Sequence, residues 1–127
     1  MSVTLEEMLS QFATGACISY PTVNIRRTPY KQIYSGSQTV TTAGTPVPLV
    51  SGGNRIPCDM VMISADQGNT REVAIGDQNV RAASGSVKGV LVYPGNVPVV
   101  FYVDDLTRLW VDAVVSGERC CFNYFVY

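Results

Sequence analysis

The side chains with the greatest capacity for chemistry in this sequence are carboxylates: Asp59, Asp66, Asp77, Asp104, Asp105 and Asp112. Paired carboxylates can bind Ca²⁺ or act as acid and base. These do not form a D-x-D-x-D-G calcium loop, and their contexts are those of turns. Asp66 and Asp77 sit beside Gly and Asn, where a short acidic side chain caps local amides. Asp104-Asp105 interrupts an apolar run ahead of Leu106. The sequence contains no histidine, so the usual base for a Ser or Cys nucleophile is missing. Lys31 and Lys88, the only lysines, have no partner motif. A metal cupin would need a histidine cluster. SGGN and GNRIP are glycine-rich, but no G-K-[ST] follows, which argues against phosphate binding. The expectation is a protein that is not an enzyme and that uses no cofactor or metal.

The four cysteines are Cys17, Cys58, Cys120 and Cys121. None has C-x-x-C spacing, and zinc would lack its histidine partners. Adjacent residues of a strand point to opposite faces, so at most one of Cys120 and Cys121 faces a core. The expected state is reduced thiols packed as small hydrophobes, as in a protein made in a reducing cytoplasm. A disulfide from Cys58 to Cys120 or Cys121 is the alternative. Trp110, with Tyr93 and Tyr102, is a candidate aromatic platform for a sugar or base. The competing expectation is core packing.

The elements that must position these residues read as strands. From Cys58 onward the runs CDMVMISA, REVAIG, VKGVLVYP, VPVVFYV, RLWVDAVV and RCCFNYFVY alternate with the turn sequences DQGN, DQN, SGS, PGN and SGE. Short runs rich in Val, Ile, Tyr and Phe, bounded by Gly, Asn, Asp and Pro, are strands joined by tight turns. Their regular spacing predicts an all-β protein, a β-sandwich or jelly-roll-like core over residues 46–127. Met60–Ala65, Val73–Gly76 and Val90–Tyr93 are predicted strands, and Val80 alternates into Ala82. Val99–Val103 is nearly all apolar, which predicts burial on both faces or a subunit contact. Ser116-Gly117 is a hairpin signal between Leu109–Val115 and the last strand. In that strand Phe122, Tyr124 and Val126 share one face, and Cys121, Phe125 and Tyr127 the other.

Residues 1–45 differ in character, and are predicted to be a short helix followed by an arm. Thr4 and Glu7 make a capping box, and Val3 and Met8 occupy the staple positions. Leu5, Met8, Leu9 and Phe12 fall at i, i+3, i+4 and i+7, one apolar stripe of a helix that Gly15 stops. A helix of about ten residues is marginal alone, so the stripe must dock on its own sheet or on a neighbouring subunit. Beyond it, Pro21 and Pro29 argue against central strands. An extended arm with edge-strand pieces is expected, carrying Tyr20, Tyr30 and Tyr34 and the basic cluster Arg26, Arg27 and Lys31. The three tyrosines, Arg26 and Arg27, with the helical stripe, are the candidate partner contacts.

Composition narrows the partners. Of 127 residues, 46% are apolar and only 15% charged, against about 25% charged in a typical soluble chain. Sparse charge leaves neutral surface suited to self-association. A net charge of −1 provides no general attraction for nucleic acid. No run approaches the about 18 apolar residues of a membrane span, and the acidic start MSVTLEEMLSQF is not that of a secretory signal.

An ordered series of motifs then carries a resemblance. Val47-Leu49 is followed by the cysteine-led Cys58–Ala65, Asn69-Thr70, Val73–Gly76, Gly89 to Gly95, Asp105-Leu106 and Gly117 to Tyr124. Over roughly the last two thirds of the chain this order resembles small tailed-phage virion proteins. The resemblance implies a β-sandwich that decorates or cements a capsid. Its implied partners are a major capsid protein and copies of itself, as a dimer or trimer. Its implied location is the capsid surface of a virion assembled in the host cytoplasm. A carbohydrate-binding module and a tail or head–tail adaptor are the alternative expectations. The family outline leaves residues 1–45 unassigned.

Overall fold

A computed structural model describes residues 29–127. The helix expected near the start, with Leu5, Met8, Leu9, Phe12, Tyr20, Arg26 and Arg27, lies outside these residues. Eight strands follow in order: β1 (Gln32–Thr39), β2 (Val47–Pro48), β3 (Met60–Ala65), β4 (Val73–Gly76), β5 (Val90–Val92), β6 (Val99–Phe101), β7 (Trp110–Ala113) and β8 (Arg119–Val126). A single 3₁₀ turn, Leu106–Arg108, separates β6 from β7. β1 falls inside the segment 1–45, so the strands of the sandwich start at Gln32.

Two antiparallel four-stranded sheets result, with orders β1-β8-β3-β6 and β2-β7-β4-β5. The pairings β1·β8, β2·β7, β3·β6 and β4·β5 join strands whose numbers sum to nine. The chain is therefore one long antiparallel ribbon closed at β4–β5 and wrapped so that alternate rungs enter alternate sheets. The contacts β8·β3 and β7·β4 then knit the two halves of the ribbon together.

The sheets share one core, which explains the period-2 pattern. Val61, Ile63 and Ala65 from β3 and Cys120 and Phe122 from β8 meet Val73 and Ile75 from β4 and Val111 and Ala113 from β7. Leu49, Leu106 and Val40 close the ends. Burying a side chain of this size stabilises by about 1.5–3 kcal/mol. Gly36 lies directly opposite Phe122 across β1·β8, and a Cβ there would come within 2.6 Å of the ring. The glycine is what allows that ring to lie over the edge strand.

Sheet β2-β7-β4-β5 is also covered on its outer face. Ala74, Val80 and Ala82 form a second small core, with Leu91, Trp110 and Val114 packed against it. Val80–Ala82, expected from alternation to be a strand, belongs to a loop laid over this face. That loop is closed by the Arg81–Lys88 bridge and by Gly89, whose φ is +113° and where a Cβ would come within 2.6 Å of the Ile75 carbonyl oxygen, so that a side chain has no room. The Ser116-Gly117 turn is not a hairpin either. It carries the chain from β7 in one sheet to β8 in the other. The signal predicts a tight reversal, and its Gly117 does adopt φ 86°, but strand pairing is decided by the wrapped ribbon.

Candidate functional site

Of the carboxylates singled out by the sequence, Asp104 pairs with the Arg108 guanidinium at 2.9 Å, and the other five accept backbone amides. Asp112 is fully buried on β7. Its Oδ1 accepts from the Gly44 amide at 2.9 Å and its Oδ2 from the Ala82 amide at 2.9 Å. One side chain thus binds the loop after β1 to the loop covering the second core. Asp105 caps the 3₁₀ turn, taking the Thr107 amide at 3.0 Å and hydroxyl at 2.7 Å as well as the Ile56 amide at 3.2 Å. The Thr107 hydroxyl is the main reason its carboxyl is held below the usual carboxylate range. Asp77 takes the Asn79 amide at 2.9 Å, and Asp59 takes the Tyr127 amide at 2.8 Å.

A residue without an obvious motif anchors the turn between β3 and β4. Glu118, nearly buried, accepts from the Thr70 amide and from the Arg71 amide at 3.0 Å. Beside it, Asn69 pairs with both backbone groups of Arg119, donating at 2.7 Å and accepting at 3.1 Å. The Arg119 guanidinium pairs with Asp66 and pulls that carboxyl below its ordinary value. No spacing rule marks Glu118 in the sequence, because its partners lie about fifty residues away and meet it only when β8 crosses the top of β3. Among the described residues, no group of three or more His, Cys, Asp or Glu is placed to hold a metal ion.

Cys58 and Cys120 are buried and Cys121 is half-buried, and all three are free thiols. Cys120 and Cys121 point to opposite faces of β8, and Cys120 joins the core. Burial pushes the Cys120 thiol up to about 12 and raises that of Cys58, which donates to the Val103 carbonyl at 3.2 Å. A raised thiol is a poor nucleophile at neutral pH.

Trp110 packs against the second core. Tyr102, 78% exposed, follows β6 in the opposite sheet, and Tyr93 follows β5. Aromatic stacking joins none of the three among the described residues. The aromatics that do stack belong to β1, β8 and the residues flanking them. Tyr30 lies on Tyr127, with ring centroids 4.4 Å apart, and on Phe125 at 5.3 Å. Its hydroxyl reaches the Met60 sulfur at 3.6 Å. Tyr34 stacks on Tyr124 at 4.9 Å. Of the candidate contact residues, Tyr30 and Tyr34 are the two within the described chain, and both sit on sheet β1-β8-β3-β6.

Among the described residues, the outer face of that sheet has no covering loop comparable to the one over the other sheet. It presents Ile33, 63% exposed, together with Val100, Tyr102 and Tyr127. Val100 projects outward while Val99 and Phe101 pack on the core, so β6 is apolar on both faces although only one is buried. On the inner side of β1 a groove of about 370 Å³ opens between the sheets. Its walls are Ser35–Gln38 and Val50–Ser51, its floor Leu49, Ile56, Phe122 and Tyr124, and no charged residue lines it.

No family model, curated protein or solved structure matches the chain at a significant level. Among the described residues no helix is long and apolar enough to cross a membrane.

Proposed function

We propose that this chain is a structural protein of a tailed-phage particle, a capsid decoration or cement protein that binds the shell and other copies of itself. The observation that carries this reading is the wrapped eight-stranded ribbon. That connectivity is the jelly-roll arrangement, an architecture that recurs in viral capsid and lectin domains. The step from fold to function is an analogy, and the surface chemistry gives it weight. The acidic side chains with several partners, Asp112, Glu118 and Asp105, are occupied in tying loops to strands. Among the described residues, the outer face of β1-β8-β3-β6 instead sets Ile33, Val100, Tyr102 and Tyr127 beside neutral Ser35 and Asn123. A protein that holds shell subunits together needs a stiff body and wide neutral contacts, and large apolar interfaces are the mark of permanent assemblies.

The test is reconstitution. Capsids of the encoding phage, assembled without this protein, are mixed with the purified full chain, sedimented and heated. The expected result is saturable co-sedimentation and a higher temperature of shell disruption. Shells that neither retain the chain nor gain stability would remove the cement reading.

A further inference from the structure

Among the described residues, the two sheets have four edges, and three of them are blunted. β2 has two residues and contains Pro48; β5 has three and runs into Pro94; β6 has three and follows Pro98. Short, proline-flanked edges are how sheets avoid further strand pairing. β1 is the exception. It runs for eight residues, QIYSGSQT, with neither proline nor charge.

The ladder fixes which backbone groups of β1 are available. In an antiparallel pair, alternate residues bond to the neighbour and the others point away. Val40 donates to the Glu118 carbonyl at 2.9 Å, in register with Thr39 opposite Arg119. The even-numbered residues therefore face β8, and Ile33, Ser35, Ser37 and Thr39 present their amides and carbonyls outward. The Thr39 amide is taken by the Gln38 side-chain oxygen at 3.1 Å. No described residue pairs with the backbones of the other three.

Side chains of the same strand are complementary to themselves. Tyr34 and Gly36 share the inner face of β1. Tyr34 is 42% exposed, and the space over Gly36 is filled by the Phe122 ring, which lines the groove. Antiparallel pairing of two β1 strands about Ser35 sets each Tyr34 opposite the other copy's Gly36. This is a non-hydrogen-bonded pair, where side chains approach most closely. There the incoming Tyr34 meets the Phe122 ring that lies over Gly36, and cross-strand aromatic pairs stabilise a sheet. The same register sets Gln32 opposite Gln38 and Ser35 opposite Ser35, so the twofold brings no like charges together.

We propose that two copies of this chain pair antiparallel through β1, centred on Ser35, with each Tyr34 ring entering the partner's groove, so that β1-β8-β3-β6 continues across a twofold axis as one eight-stranded sheet. The inference refines the assembly reading by naming where copies meet, and its failure leaves shell binding untouched. It is tested by sedimentation velocity on the full chain across a concentration series. The wild-type chain is expected to be a dimer. Ser35→Lys places two ammonium groups face to face across the axis. It is expected to be monomeric at low salt and to recover dimer as salt screens the repulsion. Ser35→Pro removes an amide that points outward, a position where edge strands accept proline. It is expected to be monomeric with an unchanged circular dichroism spectrum. A monomeric wild-type chain overturns the proposal. If in that monomer the Ser35 and Ser37 amides are protected from hydrogen exchange, the chain's own residues 1–28 hold the edge. Dimers of Ser35→Lys and Ser35→Pro as tight as wild type overturn it as well.

Discussion

Replacing Asp112 by alanine isolates the one fully buried carboxylate among the described residues, and its consequence can be worked from two distances. The Gly44 and Ala82 amides each lie 2.9 Å from one of its oxygens. Hydrogen bonds to a charged group contribute about 1.5–3 kcal/mol each, and a buried donor left without an acceptor costs about 1–3 kcal/mol. The two estimates describe the same loss, so Asp112→Ala should destabilise by about 3–5 kcal/mol. That is a large part of the about 5–15 kcal/mol that holds a domain of this size together. Asp112→Asn keeps one acceptor and turns a donor toward the other amide, so it should recover less than half of the loss. Urea unfolding followed by Trp110 fluorescence is the assay, because Trp110 packs on the same covering loop. Native-state hydrogen exchange should show the Gly44 and Ala82 amides opening first. An Asp112→Ala protein within 0.5 kcal/mol of wild type would mean that water satisfies both amides and that the carboxylate is not what fastens the two loops.

Gly36→Ala forces a Cβ to within 2.6 Å of the Phe122 ring, so it should cost about 1–3 kcal/mol, the usual range for overpacking; an unchanged thermal midpoint would show that the ring moves freely. Thiol labelling at pH 8 followed by peptide mapping should modify Cys121 well before Cys58 and Cys120, whose thiols burial raises; early labelling of Cys120 would place it outside the core. Asp66, Glu72 and Asp105 have carboxyls held below their ordinary values, by Arg119, Arg71 and Thr107 respectively. Their contribution to stability is complete above the unfolded carboxyl range of about 4 and is lost as the pH falls through the lower folded values. Arg119→Met should raise the Asp66 titration midpoint measured by NMR, and an unmoved midpoint would remove the ion pair from the account.

β3 and β8 are legible from alternation, and β4, buried on both faces, from its short apolar run ahead of the Gly76-Asp77 turn; their predicted bounds lie within a residue of those observed. β1 is harder to read because, as an edge strand exposed for most of its length, it needs no apolar alternation; QIYSGSQT appears as an arm until its pairing with β8 is known. Val80–Ala82 misleads for the opposite reason. Its apolar residues are buried beneath a loop rather than between sheets, and the period alone does not distinguish the two. The turn after β7 carries a hairpin sequence, yet it bridges the sheets, because a tight turn constrains local geometry and not the partner strand. The turn-capping roles of Asp66, Asp77 and Asp105 are legible since their partners are neighbours in sequence. Those of Asp112 and Glu118 are not, since theirs lie between 30 and 68 residues away. The groove beside β1 likewise follows from Gly36 meeting Phe122, a pairing that spans nearly the whole described chain.

The central claim is that this sandwich works by occupying a place in a particle. On the proposed reading the chain is a phage product, and a cryo-electron microscopy map of purified particles of that phage tests it most directly. The account predicts ordered density at symmetric positions on the outside of the capsid shell, into which two four-stranded sheets fit and which touches shell subunits through a neutral apolar face. A fully resolved shell with no such density, in particles from which the chain is absent by mass spectrometry, would contradict it.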